Sequence, residues 1–409
     1  MIPNCLGCGA PLLRTVVDLG STPLANSYVA ADRVDEPEAT YPLHVRVCDE
    51  CLLVQVEDTV PREALFSDYA YFSSFSDSWL QHAAAFVDAA VERLGLGPDS
   101  HVIEVASNDG YLLRNVVDRG IPCLGIEPAA NIAEAARALG VETLVEFFDV
   151  DLARELVASG RSADLVVANN VLAHNADING FVAGLRAVLR PAGVVAVEAP
   201  HLLRLIESVQ FDTIYHEHFF YFSLHAIQRA FARHDLRVFD VEELPTHGGS
   251  LRVWACATDD ARPTAPSVER VLGAERAAQL HVPAGYAGFA DRVEQCRASL
   301  RAFLRDAAAE GRHVVAYGAA AKGNTLLNVC GVTRDDIDYV VDRSPHKQGR
   351  HLPGSLLPVR SPDAVFEDHP DDRLLLAWNL RDEIIAAMAP IRAWGGRFVT
   401  PVPLVEVFA

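Results

Sequence analysis

The stretch His101-Val102-Ile103-Glu104-Val105-Ala106-Ser107-Asn108-Asp109-Gly110-Tyr111-Leu112 runs from an apolar strand pattern through small residues into the start of a helix. In an open parallel sheet, ligands bind in the crevice outside the carboxyl ends of the strands. Small residues there let a ligand come up against the backbone. The next strand pattern ends in Gly125-Ile126-Glu127-Pro128. Glu127 thus stands about 20 residues beyond the loop, where a carboxylate can accept from both ribose hydroxyls of a nucleoside. A dinucleotide and S-adenosylmethionine both suit that plan. The loop has no G-x-G-x-x-G to seat a pyrophosphate; Ala106, Asn108 and Gly110 take the small positions. Asp109 would repel a pyrophosphate but complements ammonium and sulfonium charges. The loop therefore favours S-adenosylmethionine.

Outward from this loop the chain keeps a strand–helix rhythm. Strand patterns fall at 101–106, 122–126, 143–146, 164–168 and 193–198, with helical patterns between them, such as 131–139 and 177–189. This is the signature of a parallel sheet covered on both faces. A helix near 223–231 and strand patterns at 236–242 and 251–257 follow, and the last two read as an antiparallel hairpin on the sheet edge. A Pro- and Ala-containing linker spans 259–266, a long amphipathic helix pattern spans 287–309, and a second alternation has strands at 313–317, 338–341, 373–377 and 397–400. The chain has 409 residues, too many for one ordinary core. The expected fold class is α/β: a small N-terminal β-rich module (1–75), a central Rossmann-like domain (76–262) and a C-terminal Rossmann-like domain (263–409). Lys and Arg number 35 against 55 Asp and Glu, a formal charge of −20, which argues against a nucleic-acid partner. No apolar run reaches the roughly 18 residues of a membrane span, and the start has no signal-peptide pattern, so a cytoplasmic location is expected.

The cysteines fall into two groups. Cys123, Cys256, Cys296 and Cys330 stand alone and read as small buried hydrophobes. Cys5, Cys8, Cys48 and Cys51 form two C-x-x-C pairs. Two such pairs in an acidic, cytosolic chain read as a structural tetrathiolate zinc site, with no open position for water. Disulfides are disfavoured in that compartment, and a redox pair is the other alternative. Gly7 and Gly9 are expected to supply backbone freedom to the first turn.

Three further segments carry chemistry. After the fifth strand comes Tyr215-His216-Glu217-His218-Phe219-Phe220-Tyr221-Phe222. Imidazole titrates near neutral pH and a neighbouring carboxylate can orient it, so the segment reads as acid–base apparatus; a metal site on His216 and His218 is the weaker alternative. Further imidazoles occur as His174 in Asn169-Asn170-Val171-Leu172-Ala173-His174 and as His247 in Thr246-His247-Gly248-Gly249-Ser250-Leu251-Arg252. His201 and His225 read as core residues. In the third region Tyr317-Gly318-Ala319-Ala320-Ala321-Lys322-Gly323-Asn324 leads a strand into a helix, and Arg343-Ser344-Pro345-His346-Lys347 follows the next strand. Free amides at a helix start, with lysines nearby, suit a diphosphate.

Taken in order, the two cysteine pairs, SNDGYLL, GIEP, NNVLAH, YHEHF, HGGSLR, YGAAAKGNTLLN and DRSPHKQG resemble the S-adenosylmethionine-dependent sugar C-methyltransferases of deoxysugar biosynthesis, over nearly the whole length. The resemblance implies methyl transfer to a carbon, commonly C3, of a dTDP-linked 4-keto-6-deoxyhexose. It implies His218 as the base, with Tyr215, Glu217, His174 and Tyr69 around the sugar. It places Asp109, Gly110 and Glu127 at the cofactor, in a candidate set completed by Glu104, Ala106, Asn108, Tyr111, Leu112, Pro128, Asn169 and Asn170. The substrate candidates are Tyr71, Ser73, His247, Ser250, Arg252, Lys322, Asn324 and Lys347. The expected chemistry is removal of a proton beside the ketone by His218, oriented by Glu217, with Tyr215 or His174 donating to the enolate oxygen. Zinc and S-adenosylmethionine are the implied cofactors, and a monomer is expected. An NAD(P)-dependent nucleotide-sugar oxidoreductase, or a methyltransferase that also reduces the ketone, is the alternative.

Overall fold

Strand β1 (Val102–Val105) is buried along its whole length, as a strand covered on both faces must be. In the computed structural model, which describes residues 2–57, 60, 73–75 and 77–409, it lies inside a seven-stranded sheet. Tyr69 and Tyr71 fall outside the described residues. The other strands are β2 (Cys123–Ile126), β3 (Thr143–Leu144), β4 (Ala163–Asn169), β5 (Leu189–Pro200), β6 (Leu236–Leu244) and β7 (Ser250–Ala257). Their spatial order is β6-β7-β5-β4-β1-β2-β3, parallel except that β7 runs antiparallel to both neighbours. Side chains alternate across the pleat. Val102, Val167, Ala196 and Trp254 face the helix Asp77–Leu94, which buries Phe86, Val87 and Ala90 against them. Ile103, Val166, Val195 and Val253 join the opposite layer, with Phe181 and Leu185 of the helix Ile178–Val188 and Ile227 and Phe231 of the helix Leu224–Ala232.

The N-terminal module is a four-stranded antiparallel sheet ordered Arg14–Thr22, Tyr41–Val47, Val54–Val56 and Phe220–Tyr221. Its last strand belongs to the histidine-rich segment 165 residues downstream, so Val54 pairs with Tyr221 and Gln55 with Phe220. The strand Arg14–Thr22 escaped the sequence reading because two register shifts against its partner break the two-residue alternation.

The C-terminal sheet is ordered Val359–Arg360, Val340–Val341, Val314–Tyr317, Asp372–Leu375, Arg397–Thr400 and Glu406–Phe408, with only the last strand antiparallel. The long helix spans Phe289–Ala309. Before it, the linker enters a helix absent from the sequence expectations, Pro266–Ala277, with Pro266 at its first turn. Its buried Glu275 accepts from Leu224 N (2.6 Å) and His225 N (3.1 Å) and pairs with His201 Nε2 at 2.9 Å. His201 is thus a satisfied core residue. Glu275→Ala removes one partner of a buried pair and strips two helix-start amides, and is expected to cost about 3–5 kcal/mol. Urea unfolding checks this; a loss below about 1 kcal/mol would show that the pair is not a structural tie.

Candidate active site

The four cysteines meet with all Sγ atoms within 4.8 Å of one another, the closest pairs at 3.5 Å (Cys5–Cys51) and 3.4 Å (Cys8–Cys48). A tetrahedron with zinc–sulfur bonds of about 2.3 Å separates its sulfurs by about 3.8 Å. All four are free thiols, and the donor set fits zinc. Both knuckles repeat one hydrogen-bond pattern. Cys5 N donates to Ala10 O and Gly9 N to Cys5 O; Cys48 N donates to Leu53 O and Leu52 N to Cys48 O. The pattern needs a left-handed residue after each second cysteine, and Gly9 (φ +79°) and Leu52 (φ +61°) provide it. Gly7 does not share that role: a Cβ there would come within 2.9 Å of Leu53 Cδ2, so its smallness is a packing requirement. The buried Gln55 donates to Cys5 Sγ (3.1 Å) and accepts from Leu6 N (2.9 Å). Among the described residues this is the one cluster able to hold a metal.

At the carboxyl end of β1 the loop turns through left-handed residues at Ala106 (φ +54°), Asn108 (φ +49°) and Gly110 (φ +78°). The first explains why glycine suits that position and what alanine strains. A Cβ on Gly110 would press on Ala136 and Val141 at 3.2 Å. Glu127 accepts from Asn108 N (3.1 Å) and Ala129 N (2.9 Å), which fixes its carboxylate beside the loop. Burial raises the pKa of Glu127 and raises that of Glu104 well above the usual carboxylate range, aided by the charge of Asp109. Asp109 Oδ1, Asn169 Oδ1 and Asn170 Oδ1 are buried with no protein hydrogen bond. Buried acceptors of this kind need a donor or a cation. They fit the ammonium, sulfonium and hydroxyl groups of S-adenosylmethionine. Tyr111 stacks near Trp79 at 5.9 Å, while Leu112 is buried and Pro128 follows Glu127 into the loop. Ser73, a substrate candidate, donates its amide to Asn108 Oδ1 (2.9 Å), and Ser74 donates to Asp109, so this segment lies against the cofactor loop.

The histidine-rich segment packs against the short turn Leu172–His174 after β4, with the His218 and His174 ring centroids 4.7 Å apart. His218 Nδ1 lies 3.1 Å from the Thr213 carbonyl and Nε2 lies 2.8 Å from Tyr215 Oη. A carbonyl only accepts, so Nδ1 carries the proton and Nε2 presents its lone pair, to which the Tyr215 hydroxyl donates. Burial holds His218 well below the ordinary imidazole range, and His174 and His247 depress it further; His174 and His247 are themselves lowered to about 4 by burial. The site is therefore a neutral base beside a phenol. Adjacency in the sequence makes Glu217 the expected partner that orients His218. The structure corrects this: Glu217 turns away to Asn26, whose Nδ2 donates to both carboxylate oxygens (2.7 and 2.9 Å), and burial pushes it up to about 7. Thr213 O is the orienting group. His216 Nε2 lies 3.2 Å from the carbonyls of both Tyr41 and Pro42, and among the described residues His216 and His218 belong to no metal-ligating group of three or more.

The remaining candidates divide. His247 (φ +56°) stands 5.3 Å from Trp79 in the β6–β7 turn. Lys322 starts the helix Ala321–Val329, lies over the Trp378 ring (4.8 Å) and bonds Asn379; burial lowers it to about 8. Both face the junction of the central and C-terminal domains. Arg252 is bound to Glu198 (2.6 Å) and Glu242 (3.0 Å) in the sheet, and Ser250 Oγ closes the turn onto Thr246 O (2.9 Å). Asn324 Nδ2 donates to Ala25 O (2.5 Å), joining the C-terminal helix to the zinc module. Lys347 and Tyr28 both donate to Ala319 O, and Asp342 takes the Ala319 amide (2.8 Å). Thr213, Asp212, Asn26, Gln55, Tyr28 and Trp378 were invisible in the sequence. Each is a common residue in an ordinary setting, and only the chain's long-range folding brings it to the site.

A sheet ordered β6-β7-β5-β4-β1-β2-β3, with a carboxylate at the end of β2 and unpartnered acceptors at the ends of β1 and β4, defines an S-adenosylmethionine-dependent methyltransferase. Family models match a zinc binding domain over residues 5–66, a methyltransferase domain over 79–241 and a C-methyltransferase C-terminal domain over 245–403. C-methyltransferase NovU of Streptomyces niveus is 38% identical over 402 residues, covering 98% of this chain and 96% of that protein. The chain belongs to this C-methyltransferase family. Among solved structures, magnesium protoporphyrin IX methyltransferase of Synechocystis with bound S-adenosylmethionine is 13% identical, with a TM-score of 0.36, over 49% of this chain and 99% of that one. An S-adenosylmethionine-dependent methyltransferase of Mesorhizobium loti is 15% identical, with a TM-score of 0.35, over 43% and 99%. Among the described residues no helix is long and apolar enough to cross a membrane.

Proposed function

We propose that the protein methylates C3 of a dTDP-linked 4-keto-6-deoxyhexose, with His218 as the base. The observation that carries this reading is the bare Nε2 of a neutral imidazole, fixed by Thr213 O and capped by a phenol that can turn to the substrate. A hydrogen beside a ketone is acidic enough for such a base, because its removal leaves an enolate. His218 Nε2 takes the proton. Tyr215, released from Nε2, or His174 donates to the enolate oxygen and keeps charge on oxygen small until carbon attacks. When bound, S-adenosylmethionine supplies an electrophilic methyl group on a sulfonium. Glu127 would hold its ribose, and Asp109, Asn169 and Asn170 its charged end. Lys322 and Lys347 would meet the diphosphate between the central and C-terminal domains. The division 1–75, 76–262 and 263–409 assigns a wall of the site, the cofactor and the sugar nucleotide to successive regions. In this reading the enzyme is a cytoplasmic monomer without a nucleic-acid partner, the last supported by its charge of −20.

The deciding experiment incubates the protein with methyl-labelled S-adenosylmethionine and a panel of dTDP-4-keto sugars. An alkali-stable methyl on C3 by NMR is expected; a methyl on oxygen or nitrogen, or on C5, would overturn the assignment. A narrower expectation concerns the cofactor. Glu127→Ala removes a fixed charged acceptor worth about 1.5–3 kcal/mol per hydrogen bond. Calorimetry should show S-adenosylmethionine binding weakened by at least about tenfold, and unchanged affinity would remove Glu127 from the cofactor site.

A further inference from the structure

The carbonyl that fixes the tautomer of His218 belongs to a short turn, Phe211–Thr213, and that turn is held from the C-terminal domain at two points. Trp378 Nε1 donates to Asp212 Oδ2 at 2.6 Å. Thr325 Oγ1, on the helix Ala321–Val329, donates to Ile214 O at 3.0 Å. Asp212 is fully buried and Thr325 nearly so, so neither bond has water as a ready substitute. A third tie enters from the β6–β7 turn, where Gln210 Nε2 donates to Gly248 O (2.8 Å) and a Cβ on Gly248 would strike the Trp378 ring at 2.6 Å. The tie points bracket Thr213, at the residue before it and the residue after it. The same Trp378 ring lies under Lys322.

We infer that Trp378 and Thr325 are positioning residues: through Asp212 and Ile214 they hold the Thr213 carbonyl against His218 Nδ1, so that seating of the C-terminal domain sets which nitrogen of the base is bare. The inference rests on reading His218 as the base, yet its structural half is independent of that reading. Without the ties only bonds inside the turn, Ile214 N to Phe211 O (3.0 Å) and Thr213 Oγ1 to Gln210 O (2.7 Å), hold the Thr213 carbonyl, and a histidine side chain in water favours the opposite tautomer. A ring with its proton on Nε2 cannot accept the substrate proton there. The C-terminal domain then does more than hold a nucleotide; its docked position completes the acid–base site.

The test uses full-length Trp378→Phe, which deletes the N–H donor while keeping a ring under Lys322 and against Gly248, and Thr325→Val, which is close to isosteric. Nitrogen-15 NMR of histidine-labelled protein reads the His218 tautomer directly, with His218→Asn assigning the resonance. Each variant is expected to shift His218 toward the Nε2–H form and to lower kcat at least about fivefold, with the KM for S-adenosylmethionine unchanged. A wild-type tautomer in both variants would overturn the inference whatever the activity, as would a loss confined to KM. If the tautomer shifts while kcat and solvent-deuterium exchange stay at wild-type values, the positioning of His218 stands and the base reading fails. Should one variant fold poorly, the other acts on the opposite side of Thr213 and carries the test alone.

Discussion

His218→Asn is expected to abolish methyl transfer and, with it, exchange of the hydrogen beside the ketone for solvent deuterium. The side-chain amide can still donate to Thr213 O, so the loop keeps its anchor, but no lone pair of adequate basicity faces the substrate. Loss of a positioned general base costs about 100- to 10,000-fold. S-adenosylmethionine affinity should stay within a fewfold of wild type, because none of the acceptors at the ends of β1, β2 and β4 bonds to His218. The two readouts separate proton removal from methyl transfer. If exchange persists in the variant while methylation is lost, His218 is not the base, and His174, 4.7 Å away between ring centroids, is next in line.

The same residue fixes the pH dependence. Its depressed pKa keeps the imidazole in the basic form as the medium becomes acid, so the acid limb of kcat/KM is expected below pH 6.5. Stability moves the other way. His218, His174 and His247 are all lowered in the folded chain, so below about pH 6.5 the unfolded chain binds protons that the folded one refuses, and stability falls as pH falls through that range.

How far the sequence reaches can be judged from these residues. The strands of the central sheet were legible because burial on both faces gives short, continuous apolar runs, and the loop after β1 was legible because a close ligand approach demands small residues. The Cys pairs announced themselves by spacing. The orientation of His218 did not. Local logic assigned it to its neighbour Glu217, whereas the backbone sends adjacent side chains apart: His218 faces Thr213, and Glu217 faces Asn26, 191 residues earlier in the chain. Arg252 misled for a similar reason. A cation near a candidate site invites a ligand, but here it neutralises Glu198 across the sheet. The zinc module and the methyltransferase domain were readable; the bonds by which the domains set one another's geometry were not, because they run through a tryptophan, a threonine and main-chain carbonyls.

Removing zinc should be as damaging as removing the base, although no cysteine approaches the reacting atoms in the proposed chemistry. Four thiolates tie the chain before Arg14 to the turn after Val47 at one end of the N-terminal sheet, and the strand Val54–Val56 follows directly on the second knuckle. That strand pairs with Phe220–Tyr221, two residues past His218. His216 is bonded to Tyr41 and Pro42 on the neighbouring strand, and Glu217 to Asn26 in the connection between the first two strands of that sheet. These anchors of the histidine-rich segment thus lie in the module that the four cysteines tie together. Structural zinc in small modules contributes about 10–16 kcal/mol of binding free energy at neutral pH, far more than such a sheet can replace. Cys48→Ser, or prolonged chelation, is therefore expected to leave less than about 1% of methyl transfer. It should also abolish protection of the Phe220 and Tyr221 amides in hydrogen exchange, while the amides of β4 and β5 stay protected. Metal analysis should give one zinc per chain before treatment. A metal-free chain that keeps both its activity and its protection at Phe220 would show that the module is fastened by its apolar contacts alone, and that the thiolates do not govern the catalytic loop.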